Sequence, residues 1–178
     1  MNILLTGGAG YIGSHAALSL LDDGHKVHIV DNLSTGNEIL IPSNAKFTNC
    51  NINNEEIISN LIQSSNFDLL MHFAGFIQVE ESVNHPEKYF ENNTNNAIKL
   101  FNICKKNGLT KIVFSSTAAA YGLVSEDKLI DEHTNLNPQN PYAESKIKTE
   151  KFLFDNKDNF QFIILRYFNV AGADKKLR

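Results

Sequence analysis

The chain has 178 residues, about one domain in length, of which 42% are hydrophobic and 20% charged. This composition excludes a collagen-like, coiled-coil or wholly disordered chain. The net charge of −4 leaves no basic excess to bind a phosphate backbone, so nucleic acid is not an expected partner. Cys50 and Cys104 form no C-x-x-C pair, no apolar run reaches the roughly 18 residues of a membrane span, and the N-terminus lacks a basic signal region. We therefore expect a soluble, cytoplasmic protein with no membrane partner.

Short apolar strands alternate with helical patterns along the chain. In chain order we predict a strand at 2–6, a helix at 11–23, strands at 26–30 and 45–49, a helix at 53–64, a strand at 68–73, a long helix at 80–107 disturbed at Pro86, a strand at 110–115, a polar stretch at 123–139, a helix at 141–156 and a strand at 160–167. Strands that alternate with helices predict βαβ units, hence a doubly wound (Rossmann) α/β fold with a parallel sheet and helices on both faces. The continuously apolar runs at 112–114 and 162–165 predict strands that are covered on both faces.

The first predicted strand leads into a glycine-rich turn with the spacing G-x-x-G-x-x-G at Gly7, Gly10 and Gly13. Glycines at these positions allow a tight turn and let a pyrophosphate approach the backbone, and the following helix directs its free N–H groups at the phosphates. Asp31 follows the second strand and lies about 20 residues after the glycine motif in the sequence. A carboxylate at this separation typically binds the adenosine ribose. Because this carboxylate would repel a 2′-phosphate and 32–37 contains no Arg or Lys, we predict NAD rather than NADP.

A second set of residues predicts proton-transfer chemistry. Tyr142 and Lys146 are spaced i, i+4, so on a helix they share one face. An ammonium beside a phenol is expected to lower the pKa of the tyrosine and make it a base for a sugar hydroxyl. Upstream, the predicted strand ends in the hydroxyls of Ser115, Ser116 and Thr117, at the sheet edge where doubly wound folds bind ligands.

Longer strings extend these two patterns over essentially the whole chain. They are GGAGYIGSH at 7–15, DNLS at 31–34, HFAG at 72–75, ESV at 81–83, NN at 92–93, FSSTA at 114–118, PY at 141–142 and RYFNVAGA at 166–173. With these strings the chain resembles the UDP-glucose 4-epimerases of the extended short-chain dehydrogenase/reductase family.

The resemblance implies a role for each matching position. Tyr142 would be the acid/base and Lys146 its electrostatic partner, while Thr117 stands where the family places a catalytic hydroxyl. The implied cofactor contacts are Gly7, Gly10, Tyr11, Ile12, Gly13, Asp31, Asn32, Asn51, Ile52, Phe73, Ala74, Gly75, Asn92, Ser115, Tyr142, Lys146 and Phe168. The implied substrate contacts are Thr117, Tyr142 and Asn169. Two positions depart from the family: Asn51 replaces an acidic residue, and Ile77 stands where some members carry a lysine.

The resemblance also implies a reaction, namely the interconversion of UDP-galactose and UDP-glucose at sugar carbon C4 through a transient 4-keto sugar and tightly bound NAD. The chain corresponds to roughly the first half of a family member. We therefore expect residues 1–178 to be an NAD-binding domain that lacks the C-terminal substrate region, with impaired activity. One alternative is a catalytically silent NAD-binding fragment. Another is a nucleotide-sugar 4,6-dehydratase, which Ala118 and Ala119 disfavour because related dehydratases carry Asp-Glu there.

The remaining polar residues predict no further site. The histidines form no cluster with metal-ligand spacing, so no metal is expected. The resemblance implies a UDP-hexose substrate and a homodimer that pairs the helices at 80–107 and 141–156, with Phe152 and Phe154 as candidate contacts.

Overall fold

The computed structural model describes residues 1–125 and 129–176. Its strands are β1 (Asn2–Thr6), β2 (Lys26–Asp31), β3 (Lys46–Asn49), β4 (Leu69–His72), β5 (Lys111–Thr117) and β6 (Gln161–Tyr167). Its α-helices are α1 (Tyr11–Asp22), α2 (Glu55–Ser65), α3 (Val79–Asn84), α4 (Pro86–Tyr89), α5 (Ala97–Lys106) and α6 (Pro141–Asp155). None of the helices in these residues is long and apolar enough to cross a membrane.

The six strands form one parallel sheet in the order β3-β2-β1-β4-β5-β6. The order reverses at β1, which pairs with β2 on one side and with β4 on the other. In sheets of this kind the loops on either side of the reversal separate, and a crevice opens at the carboxyl ends of the strands. The doubly wound α/β fold predicted from the sequence is therefore confirmed.

Alternate residues of the strands build a hydrophobic core on each face of the sheet. Leu4 belongs to the larger core, in which α2, α5 and α6 pack on one face, whereas its neighbour Leu5 packs against α1 on the other. Phe152, expected at a dimer contact, instead stacks on Phe101 of the larger core with ring centroids 6.4 Å apart. Phe154, two residues further on, lies on the opposite side of α6 and is 53% exposed.

The last strand corrects one prediction. Leu5, Met71, Val113 and Ile163 lie side by side across the sheet on the face of α1. Leu5 is fully buried beneath α1, whereas Ile163 is 59% exposed. The expectation that 162–165 is covered on both faces is therefore wrong in this structure. The physical reason is position: β6 is an edge strand, and α1 packs mainly over β1 and β2.

The predicted helix at 80–107 is interrupted in two places. His85 leaves the helical conformation (φ −135°, ψ 62°) because it precedes a proline, and Pro86 then starts α4 at a position that suits its missing N–H. Residues Phe90–Asn96 form a π-helical segment that leads into α5. The disturbance at Pro86 was predicted, but the π-helical segment was not.

The polar stretch at 123–139 connects β5 to α6. It follows a 3₁₀ turn, Ala118–Tyr121, and in its described residues, 123–125 and 129–139, it contains no helix or strand. Residues 126–128 of the predicted stretch lie outside the described residues. The end of the stretch is tied back to the turn, because Asn137 N donates to the Ala120 carbonyl at 2.9 Å.

Candidate cofactor and catalytic site

The glycine turn is shaped by close backbone contacts that exclude side chains. Gly7 has φ +76°, and a Cβ there would lie 2.4 Å from Ala74 N in the loop after β4. A Cβ on Gly13 would lie 2.2 Å from the Gly7 carbonyl oxygen, so α1 packs directly on the turn. Helix α1 begins at Tyr11 without a side-chain cap, which leaves the N–H groups of its first turn available to an anion. This cradle fits the pyrophosphate of a dinucleotide.

Asp31, at the end of β2, fixes the turn from the opposite side. One carboxylate oxygen accepts from Ala9 N at 3.0 Å and the other from Leu33 N at 2.8 Å. The second bond holds Leu33 at φ +58°, a conformation that is uncommon for a branched side chain. Each carboxylate oxygen can accept more than one hydrogen bond, so Asp31 retains the capacity to bind a ribose hydroxyl.

A cleft at the carboxyl ends of β1, β2, β3 and β4 collects most of the predicted cofactor residues. Its empty space is about 540 Å³, part of it open to solvent. The predicted residues that line it are Gly7, Gly10, Asp31, Asn32, Asn51, Ile52, Phe73, Ala74, Gly75 and Asn92. The sequence reasoning missed Ser34, Thr35, Gly36, Cys50 and Phe76. All five lie in segments that follow strand ends, and this position was the signal that could have identified them.

Other predicted residues lie around the cleft or away from it. Tyr11, Ile12 and Gly13 form the first turn of α1, where the Tyr11 hydroxyl donates to the Gly172 carbonyl at 2.7 Å. Phe168 is 66% exposed and lines a separate groove at the β6 edge together with Phe154. Asn169 is also exposed. The structure therefore does not bring Phe168 or Asn169 to the cleft, because both follow the edge strand.

Helix α6 presents the predicted catalytic pair to the end of β5. The Asn140 side chain caps the helix by accepting from Ala143 N at 2.9 Å. Lys146 is 3% exposed, and its Nζ donates to the Ser115 carbonyl at 3.0 Å. A Cβ on Gly75 would lie only 3.0 Å from that Nζ, so Lys146 reaches the wall of the cleft. The cleft and the Tyr142–Lys146 face of α6 therefore meet at Gly75.

The surroundings of Tyr142 correct the expected effect on its acidity. Burial raises the pKa of the Tyr142 phenol above its usual value, and a hydrogen bond with the Thr117 side chain opposes that rise. Thr117 also caps the 3₁₀ turn by accepting from Ala119 N at 3.1 Å. In this structure the expectation that Lys146 lowers the pKa of Tyr142 is not met, because burial of the phenol dominates and the ammonium is bound to Ser115.

The pKa of Lys146 lies close to neutral pH. Burial lowers the pKa of Lys146 to about 8, and the neighbouring carboxylate of Glu150 acts in the opposite direction. The ammonium therefore remains mostly protonated at neutral pH. A buried lysine with a lowered pKa beside a tyrosine in a cleft is typical of a functional site.

The π-helical segment joins the cleft to α6, a contact that sequence reasoning missed. Asn93 accepts from Phe76 N at 2.8 Å and donates to the Phe76 carbonyl at 2.9 Å, which clamps the loop after β4. Its neighbour Thr94 donates to the Ser145 carbonyl at 2.8 Å, next to Lys146. Asn92, one residue earlier, lines the cleft. The wider turn of this segment places three consecutive side chains where they contact the loop, the helix and the cleft.

The described residues contain no group of three or more His, Cys, Asp or Glu side chains that could hold a metal ion. A doubly wound sheet with a glycine cradle at its crevice defines the class of dinucleotide-binding α/β folds, and the Tyr142–Lys146 face of α6 adjoins that cradle. Residues 3–178 match the NAD dependent epimerase/dehydratase family. The chain belongs to this family.

Known relatives align with the chain over nearly its whole length. It is 44% identical over 174 residues to the UDP-glucose 4-epimerase of Azospirillum brasilense. This alignment covers 97% of the chain and 50% of that relative. It is 37% identical to UDP-arabinose 4-epimerase 1 of Arabidopsis thaliana, covering 99% and 45% respectively. The crystal structure of UDP-glucose 4-epimerase from Brucella ovis in complex with NAD superposes with a TM-score of 0.93 at 35% identity, covering 97% of this chain and 53% of that one. The chain thus spans about half the length of the relatives it matches.

Proposed function

We propose that the chain is the NAD-binding, proton-transferring part of a UDP-hexose 4-epimerase, with UDP-glucose and UDP-galactose as its substrates. The observation that carries this proposal is the junction at Gly75, where the wall of the glycine cleft meets Lys146. A dinucleotide that entered the cleft with its pyrophosphate on the α1 turn would extend toward α6. We propose residues 1–178 as a single NAD-binding domain that also carries the catalytic pair.

The proposed chemistry assigns each proton to a residue of this chain. When bound, NAD supplies the redox centre that takes up and returns the hydrogen of sugar carbon C4, so no net oxidation occurs. Tyr142 removes the proton of the 4-hydroxyl and returns it to the same oxygen after C4 has been inverted. The Thr117 hydroxyl, which hydrogen-bonds Tyr142, holds the 4-oxygen of the sugar. The Lys146 ammonium lies at the cleft wall beside Gly75, where it would contact the bound cofactor and orient it toward Tyr142.

Two features favour an epimerase over a 4,6-dehydratase. Thr117 is followed by Ala118 and Ala119 in the 3₁₀ turn, and neither side chain can donate a proton to a departing hydroxyl. The relatives reported above carry the name 4-epimerase. UDP-arabinose is the alternative substrate to test, since one of these relatives is named for it.

The test is to incubate the chain with UDP-galactose and catalytic NAD and to follow UDP-glucose formation by chromatography. Tyr142→Phe is expected to lower kcat about 10²–10⁴-fold while retaining NAD, because it removes a proton-transfer group and no cofactor cradle. Lys146→Met is expected to lose turnover as well. The matched control is Lys151→Met, which removes an exposed ammonium farther along α6 that pairs with Asp155.

Unchanged turnover in Tyr142→Phe would contradict the proposed acid/base role. Retention of NAD by the wild-type chain without turnover of any UDP-hexose would instead favour the catalytically silent NAD-binding alternative. Absence of NAD binding would contradict both.

The proposal extends to assembly and compartment. We propose a homodimer that pairs the helical stretch of 80–107 and α6 with those of a second copy, and a cytoplasmic location, which the reduced cysteines support. Light scattering on the purified chain tests the dimer, for which a mass of twice 19.9 kDa is expected.

A further inference from the structure

A buried ion pair lies one helical turn beyond the catalytic pair. The Glu150 side chain is 2% exposed and that of Arg166, on β6, is 15% exposed. Arg166 Nη2 donates to Glu150 Oε2 at 2.6 Å, and Arg166 Nε donates to Oε1 at 3.1 Å. Ser116 of β5 donates its hydroxyl hydrogen to the same carboxylate. Glu150 therefore ties α6 to both β5 and β6.

The spacing along α6 connects this ion pair to the candidate active site. Lys146 follows Tyr142 by four residues and precedes Glu150 by four, so all three lie on one face of the helix. That face meets three consecutive residues of β5: Tyr142 bonds Thr117, Lys146 bonds the Ser115 carbonyl, and Glu150 bonds Ser116. The bond at Glu150 therefore fixes the strand end that carries Thr117.

The arginine holds the segment on the other side of Thr117. Arg166 Nη1 donates to the Tyr121 hydroxyl at 3.0 Å, and its guanidinium carbon lies 5.1 Å from the centroid of that ring. Tyr121 ends the 3₁₀ turn that Thr117 caps. The Glu150–Arg166 pair thus contacts the chain on both sides of Thr117, at Ser116 and at Tyr121.

We propose that Glu150 is a positioning residue for the proposed reaction, which keeps Lys146 charged and holds Thr117 opposite Tyr142. This inference rests on the proposed function. Glu150 is buried in contact with Arg166 and lies one helical turn from Lys146, and in a low-dielectric interior its carboxylate favours the protonated form of the lysine. Burying two charges is costly, and an apolar pair of similar size would fill the space without that cost. A role in ordering the site accounts for the pair.

Other groups around Lys146 do not supply this effect. Tyr142, one helical turn earlier, is a phenol whose pKa burial raises, so it is uncharged at neutral pH. His72 on β4 is neutral above pH 3, because burial lowers its pKa to about 3. Ser115 offers an uncharged carbonyl, and Tyr121 contacts the arginine rather than the lysine. Glu150 is thus the negative charge that acts on Lys146 in the described structure.

The test measures the pKa of Lys146 by NMR of its labelled side chain, assigned with Lys146→Met. In Glu150→Gln, which keeps the size of the side chain and removes its charge, the pKa of Lys146 is expected to fall by about one unit or more. Glu144→Gln is the matched control, because Glu144 is an exposed carboxylate on the same helix, and no shift is expected there. A purely structural role for Glu150 would lower the thermal stability but leave the lysine pKa unchanged, and that result would overturn the proposal.

Glu150→Gln strands the Arg166 guanidinium, so the double variant Glu150→Gln/Arg166→Gln provides a second test if the single variant does not fold. Because the double variant also removes the Arg166 cation, it is compared with Arg166→Gln, which keeps the Glu150 charge. The Lys146 pKa is expected to be lower in the double variant than in Arg166→Gln, and equal pKa values in the two refute the proposal. In a turnover assay, the loss of kcat at alkaline pH is expected to move to lower pH by the same amount, with the KM for the UDP-sugar unchanged. The lysine titration requires no turnover, so its outcome is distinguishable from failure of the proposed function.

Discussion

Acidification is expected to destabilise this fold through one buried histidine. His72 is 1% exposed, its Nδ1 lies 2.6 Å from the Thr6 hydroxyl, and its ring stacks on Phe114. Burial, assisted by the charge of Lys146, lowers the pKa of His72 from 6.5 to about 3. Between these two pH values the unfolded chain binds a proton that the folded protein does not bind. The unfolded state is therefore favoured progressively as the pH falls below 6.5.

The size of the effect follows from the two pKa values. Each pH unit below 6.5 costs about 1.4 kcal/mol of stability, so this group removes about 2 kcal/mol at pH 5 relative to pH 7. At pH 5 this figure hardly depends on the folded-state pKa, provided that the latter stays below about 4.

The assay is urea denaturation at pH 7 and pH 5 of the wild type, of His72→Phe and of the exposed control His133→Gln. His72→Phe loses the bond to Thr6 at both pH values, so that cost cancels in the difference between them. The wild type and His133→Gln are expected to lose about 2 kcal/mol more than His72→Phe on acidification. Equal losses in all three proteins would refute the assignment of the effect to His72.

Three other substitutions give direct outcomes. Gly75→Ala would place a methyl group 3.0 Å from Lys146 Nζ, so NADH binding measured by fluorescence is expected to weaken about tenfold. Unchanged affinity would show that Gly75 and Lys146 do not meet at the cofactor. Asp31→Asn removes the charge expected to repel a 2′-phosphate, so the ratio of NADH to NADPH affinity should fall, whereas a constant ratio would contradict that role. Asn140→Ala removes the acceptor for Ala143 N and is expected to lower the free energy of urea unfolding by about 1 kcal/mol; no loss would mean that the cap contributes nothing.

The order of strands and helices could be predicted because burial dictates residue patterns within each element. The run Ile3–Leu5 is apolar on both faces since β1 lies at the centre of the sheet, with a core on either side. The glycine spacing was equally informative, because Gly7 adopts a positive φ and Gly13 packs on the Gly7 carbonyl within one short turn. These signals are local, so a single sequence contains them.

The features that sequence reasoning missed depend on partners far apart in the chain. Ile163 reads as a buried strand residue, and its exposure follows only from the edge position of β6. The Glu150–Arg166 pair joins α6 to β6, and neither residue carries a mark of its partner in the sequence. The effect of Lys146 on Tyr142 was wrong for the same reason, since the balance between burial and charge depends on the packing of both side chains.

The glycine cleft is proposed to hold a dinucleotide against the Lys146 face of α6. Fluorescence titration of the purified 178-residue chain with NADH tests it most directly, with Gly13→Val as the comparison, since a side chain at Gly13 would collide with the Gly7 carbonyl. The wild type is expected to bind NADH saturably, NAD⁺ is expected to displace it, and Gly13→Val is expected to lose this binding. Binding that survives in Gly13→Val, or no binding by a folded wild-type chain, would contradict it.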